Sequence, residues 1–204
     1  MTKTILILLL VLSTLHLQAD PDEDLLNAVK QKSLRSVQKA VQKGANINKE
    51  LDFPEGTLTP FHFAVIIGSV EIVKYFLDNK VNPNLAAKVK RGNQNGINYP
   101  VHLASGLENS KVLQLLVNRG ANLQARSYLG TGEDDLKNIS CLFFAVENNR
   151  VEIVKYLLKK GLDPNDIGQE AGKILTGLEI AEKSGSMEVI ELLKKESQKT
   201  KSSK

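Results

Sequence analysis

Apolar pairs recur at helical spacing along most of the chain: Ile72-Val73 then Phe76-Leu77, and Ile153-Val154 then Leu157-Leu158. That spacing writes one greasy stripe on each helix. A longer repeat runs in the same phase. Ala28, Ala64, Ala104, Ala145 and Ala181 are each followed nine residues later by an apolar residue: Val37, Val73, Leu113, Val154 and Ile190. Sixteen residues after the first four alanines stand Gly44, Lys80, Gly120 and Gly161, and eighteen after stand Asn46, Asn82, Asn122 and Asp163. Glycine takes the left-handed conformation that ends a helix, and Asn or Asp bonds back to the backbone in the turn that follows. Each unit therefore reads as helix, helix, turn. One such pair cannot bury its stripe alone, so the units must stack and share a core. The fold class expected is an all-α solenoid of about five helix-turn-helix units.

The spacings between the alanines are 36, 40, 41 and 36 residues. Because helices and turn align within each unit, the extra length falls in the connection before the next unit. The two central connections are the longest. One contains Lys88, Lys90 and Arg91 and is basic; its Asn95-Gly96 pair suits a hairpin turn. The other carries Tyr128 and the acids Glu133, Asp134 and Asp135. Two adjacent fingers of opposite charge either pair with one another or frame a patterned contact surface. Loop length alone costs little, about 0.6 kcal/mol per doubling, so tolerated insertion is the bland alternative.

The first residues change the picture of the compartment. Lys3 precedes the apolar run Ile5–Leu12, and Ala19 stands just before Asp20-Pro21. The run is about half the roughly 20 residues needed to span a bilayer, so residues 1–19 read as a signal peptide cleaved after Ala19. The mature chain is then exported with no stable membrane anchor. Its formal charge of +4 does not indicate nucleic acid: residues 194–204 hold five lysines against Glu196, which accounts for all of it. Residues 196–204 read as a disordered basic tail. One cysteine, Cys141, rules out an internal disulfide, and with three histidines a cysteine-rich zinc site is excluded too. No metal or cofactor is expected.

The repeated columns resemble the ankyrin repeat, whose signature is Thr-Pro-Leu-His-x-Ala. Thr59-Pro60-Phe61-His62-Phe63-Ala64 matches closely, and Tyr99-Pro100-Val101-His102-Leu103-Ala104 keeps the proline, histidine and alanine. Ser140-Cys141-Leu142-Phe143-Phe144-Ala145 and Thr176-Gly177-Leu178-Glu179-Ile180-Ala181 drift further. On this reading the domain covers 20–195, with repeats at about 22–52, 56–86, 97–126, 138–168 and 174–195. The resemblance implies an ankyrin-repeat solenoid with long finger loops that binds another protein and is not an enzyme. It also gives Thr59, Pro60, His62, Pro100 and His102 structural work, the histidines holding neighbouring loops. Cys141, in a proline column, reads as a small buried hydrophobe.

The chain resembles the small exported, periplasmic ankyrin proteins of bacteria. Some of these support a partner such as catalase in oxidative-stress defence, which makes catalase a family-level suggestion. The alternative is a secreted effector binding a host protein. In the family, residues after the alanine face the concave groove. Here they are Ile66 and Ile67, Leu107, then Glu147 and Asn148, with polar residues at both ends. An apolar centre with a polar rim is the pattern of a contact site, or else of a satellite core under the fingers. The partner-binding candidates are thus Ile66, Ile67, Leu107, Glu147 and Asn148 in the groove. From the fingers come Lys88, Lys90, Arg91, Tyr128, Asp134 and Asp135.

Overall fold

The computed structural model describes residues 20–130 and 135–202, so the expected signal peptide and Asp134 lie outside the described residues. Among the described residues, ten helices form five pairs: α1 (Pro21–Lys30) with α2 (Leu34–Gln42), α3 (Pro60–Ile66) with α4 (Val70–Asp78), α5 (Pro100–Ser105) with α6 (Lys111–Asn118), α7 (Cys141–Glu147) with α8 (Val151–Lys159), and α9 (Gly177–Ser184) with α10 (Met187–Ser202). The inner helices α1, α3, α5, α7 and α9 stack in chain order. What lets them approach is the alanine column: Ala28, Ala64, Ala104, Ala145 and Ala181 are all buried, as are the apolar residues nine further on. At the first end of the row, Asp24, Asn27, Gln31, Ser36, Lys39 and Lys43 line an open polar recess. A polar outer face is what a terminal repeat needs.

Side-chain caps start these helices. Asp20 accepts from the Asp22 N–H before Pro21, Thr59 accepts from the His62 N–H, and Thr176 from the Glu179 N–H. The ends follow the expected column: Gly44, Gly120 and Gly161 have φ of 99°, 87° and 86°. Lys80 holds the same place at 67°. A non-glycine residue there costs about 1–2 kcal/mol, partly offset by the chain entropy glycine would lose. Lys80→Gly is expected to stabilise by up to about 1 kcal/mol, read as a higher urea midpoint.

The all-α expectation is overturned by the connections. The fingers are hairpins, β1 (Leu51–Phe53) with β2 (Gly56–Leu58), β3 (Ala87–Arg91) with β4 (Gln94–Asn98), β5 (Ser127–Gly130) with β6 (Leu136–Ile139), and β7 (Gly168–Glu170) with β8 (Lys173–Leu175). They join edge to edge into an eight-stranded antiparallel sheet in chain order. With 49% helix and 17% strand the protein is a helical solenoid bearing a continuous sheet. The physical reason is spacing: stacked repeats bring successive hairpins close enough for their edges to hydrogen-bond, and unpaired edges are costly. The turn of the second hairpin also differs from expectation. It falls at Gly92-Asn93, with Gly92 at φ 60°, while Asn95-Gly96 lies inside β4.

Gly56 and Gly96 make the joins between hairpins possible. Gly56 pairs with Val89 and Gly96 with Leu129. A Cβ on Gly56 would run into the Lys88 carbonyl, and one on Gly96 into the Tyr128 carbonyl. In the third hairpin the corresponding position is Lys137, and its join to the fourth hairpin shrinks to a single pair, Lys137↔Gln169. Nearby Asn138 takes φ 52°, and the register is irregular between Ser127 and Leu129. The last hairpin is therefore joined by one ladder pair and by the Ser140 N–H donating to the Ile167 carbonyl at 2.9 Å.

At the other end, no glycine or proline interrupts the chain after Met187, and α10 continues to Ser202. Helix therefore replaces the expected free tail over 196–202. Half-buried Glu196 lines a groove with Lys155, Leu158 and Leu192.

Candidate functional site

The two repeat histidines are struts. His62 Nδ1 accepts the Thr59 N–H at 3.1 Å, which leaves Nε2 to donate to the Leu85 carbonyl at 2.9 Å. His102 repeats this with the Tyr99 N–H at 3.1 Å and the Ala125 carbonyl at 3.2 Å. Both ring nitrogens are committed to holding a hairpin base against a helix start. Burial lowers both pKa values, that of His102 to about 4, so the rings are neutral at physiological pH. Cys141 is fully buried with its Sγ 3.7 Å from the Leu123 carbonyl, and burial pushes its thiol up to about 12. A thiol that stays protonated is no nucleophile.

The fourth repeat has Phe143 in the histidine column, and its strut is supplied from elsewhere. Each histidine holds the carbonyl twenty-three residues on; the corresponding carbonyl here is that of Asp166. Arg126 Nη1 donates to it at 3.1 Å and to the Asn138 carbonyl at 3.0 Å. In the fifth repeat Glu179 takes the column. It accepts from the Thr176 N–H at 2.9 Å and pairs with Lys173 at 2.8 Å, and its carboxyl falls to about 2, chiefly through Lys173.

Released from the strut, Phe143 helps wall a cavity of about 310 Å³ between the last two hairpins and helices α7 and α9. Leu136, Leu175 and Ile180 form its apolar lining, and Glu147, Glu170 and Lys183 its charged rim. A recess of about 70 Å³ continues from Leu136, Phe143 and Glu147 toward Val89 and Leu129. Earlier in the row the same angle between sheet and inner helices holds half-buried Phe63, its ring 4.8 Å from that of Phe53 and Lys30 over it at 5.9 Å.

The residues singled out in the sequence separate into two surfaces. Ile66 ends α3, 40% exposed, and half-buried Ile67 and Leu107 pack on the core. Glu147 and Asn148 lie at the end of α7, where the Asn148 amide donates to the Phe144 carbonyl at 2.8 Å. These five follow the C-terminal ends of the inner helices. Lys88, Lys90 and Tyr128 are exposed on the opposite face of the sheet, since Lys88, Ile97 and Tyr128 are cross-strand partners and Val89 and Leu129 alternate toward the helices. Arg91 closes β3 opposite Gln94. The two charged fingers pair through their backbones at β4 and β5, yet Lys88 reaches Glu50 at 3.8 Å and Asp135 faces Lys137 at 3.9 Å.

Sequence reasoning missed Phe143, Phe144, Leu136 and Arg126. The signal was present in the alternation of the fingers and in the lost histidine of the fourth unit.

A family model for ankyrin repeats, in three copies, matches residues 25–127 and 84–167, most of the chain. The chain is an ankyrin-repeat protein. An ankyrin repeat protein of Rickettsia felis is 23% identical over 146 residues, which is 72% of this chain and 45% of that relative. The chain thus spans less than half that relative's length. Ankyrin repeats are protein–protein interaction modules and generally non-catalytic. Among the described residues of this ankyrin protein, no helix is long and apolar enough to cross a membrane.

Proposed function

We propose that this ankyrin protein is an exported, non-catalytic binding module that holds a partner protein in the angle between its sheet and its inner helices. The observation that carries this is the apolar column just before the buried alanines. Phe63, Leu103 and Phe144 remain half-buried beside the fully buried Ala64, Ala104 and Ala145. A solenoid presents a long, rigid surface and little enclosed volume, which suits recognition of a protein. Export rests on the reading of residues 1–19. Catalase enters through the family resemblance, and no residue of the groove selects it. The effector alternative uses the same surface and predicts appearance in medium or host cells, where the leading reading predicts periplasmic retention.

Capture from exported fractions tests the surface. With Ile66, Ile67 and Leu107 changed together to alanine, recovery of the partner is expected to fall roughly tenfold, as for residues at the centre of an interface. With Lys88, Lys90 and Tyr128 changed to alanine it is expected to hold. The reverse outcome, in baits with unchanged melting, would move the site to the opposite face of the sheet.

A further inference from the structure

We propose that the cavity between the last two hairpins and helices α7 and α9 receives one bulky apolar side chain of an extended partner segment, with a lysine or arginine beside it held by Glu147 and Glu170. This rests on the binding reading above and gives the partner's chemistry. The cavity follows from departures confined to this part of the chain. Phe143 replaces a histidine that would have been tied to a hairpin base, and Arg126 takes over that tie. Beside the cavity the neighbouring hairpins share a single ladder pair, Lys137↔Gln169, and are held further by the Ser140 N–H to the Ile167 carbonyl at 2.9 Å and the Asn138 amide to Gln169 at 3.0 Å. Leu136, Leu175 and Ile180 complete an apolar lining.

Size and charge select the occupant. An apolar cavity of about 150 Å³ takes benzene, so about 310 Å³ admits a phenylalanine or leucine side chain with part of its backbone. Glu147 is exposed on the last turn of α7, and Glu170 is exposed at the end of β7. Neither belongs to an ion pair among the described residues. Among the described residues that line the cavity, Glu147 and Glu170 stand against Lys183, and Lys173, opposite Glu170 in the last hairpin, is tied to Glu179 at 2.8 Å, so the lining carries an excess of one negative charge. A partner segment that brings a cation next to its apolar anchor meets that charge, and one that brings an acid is repelled.

Resonance shifts in the protein on titration with short peptides test this. The probes are Gly-Lys-Phe-Lys-Gly, the same peptide with alanine for phenylalanine, and the same with glutamate for both lysines. The first is expected to shift signals of Leu136, Phe143 and Ile180. The alanine probe should bind at least about tenfold more weakly, and the glutamate probe about two- to fivefold more weakly. Phe143→His should abolish the response. Because that variant alters packing, Glu147→Lys combined with Glu170→Lys supplies a surface test and should reverse the preference between lysine and glutamate probes. Equal binding of the alanine probe, or a flank preference unchanged in the double variant, would overturn the proposal. Shifts confined to Ile66 and Leu107 would overturn it while leaving the groove reading standing. Cavity signals that move with protein concentration alone would replace the peptide with a second copy of this chain.

Discussion

Gly96→Ala is expected to lower stability by about 2–3 kcal/mol, while Gly168→Ala should stay within about 0.5 kcal/mol of the parent. Both glycines lie in hairpin strands, so strand propensity alone does not separate them. The difference is the neighbour. A methyl on Gly96 meets the backbone carbonyl of Tyr128, where β4 and β5 pair over three positions and neither strand can yield without losing ladder hydrogen bonds. A methyl on Gly168 finds its nearest contact, the Ile139 Cα, at 3.6 Å, an ordinary van der Waals distance. Urea unfolding gives the two energies, and amide exchange locates the damage. Protection should fall in β4 and β5 of the Gly96 variant while α3 to α6 keep theirs. An unchanged midpoint for Gly96→Ala would mean that the second and third hairpins do not meet as closely as described.

That contrast also explains which features could be read from the sequence. The helices could, because each obeys a local rule: an apolar pair every turn, a capping Thr59 or Thr176, and a left-handed residue at the column of Gly44. The alanine and Val37-type columns are buried in all five repeats, since every unit solves the same packing problem. The sheet could not be read so directly. Each hairpin is short and depends on a neighbour some forty residues away, and the feature that admits the neighbour, a glycine such as Gly96, reads locally as a turn. The site was displaced for a related reason. The residues after the alanine column were weighed for polarity alone, whereas the cavity arises where Phe143 leaves the strut and Arg126, from another repeat, replaces it. That exchange joins residues forty positions apart.

Lowering the pH from 7.5 to 4.5 is expected to reduce stability through the struts before any carboxylate with a depressed pKa is lost. His102 is fully buried, and burial opposes its protonation; backbone hydrogen bonds to Ala125 and Ile139 pull the other way and are outweighed, and the Arg126 charge adds a smaller opposition. The unfolded ring titrates near 6.5 and the folded one at about 4. The unfolded state therefore binds the proton more tightly. The stabilisation is fully present above pH 6.5, declines as pH falls toward 4, and is gone below it. For His102 that amounts to about 3 kcal/mol at most, and His62 shifts in the same direction. Asp22, Asp78 and Glu179 have lowered values and act in a lower window, below their ordinary values of 3.8, 3.8 and 4.5. Urea midpoints between pH 5 and 7.5 thus report the histidines. His102→Gln should cost about 2 kcal/mol at pH 7.5, because the Tyr99 N–H and the Ala125 carbonyl lose partners of the right reach. The gap to the parent should narrow steadily toward pH 4.5. A gap that stays constant with pH would mean that the His102 ring titrates alike in the folded and unfolded chain and is not held buried as the neutral ring, and a gap that widens toward low pH would mean that the fold favours the protonated ring.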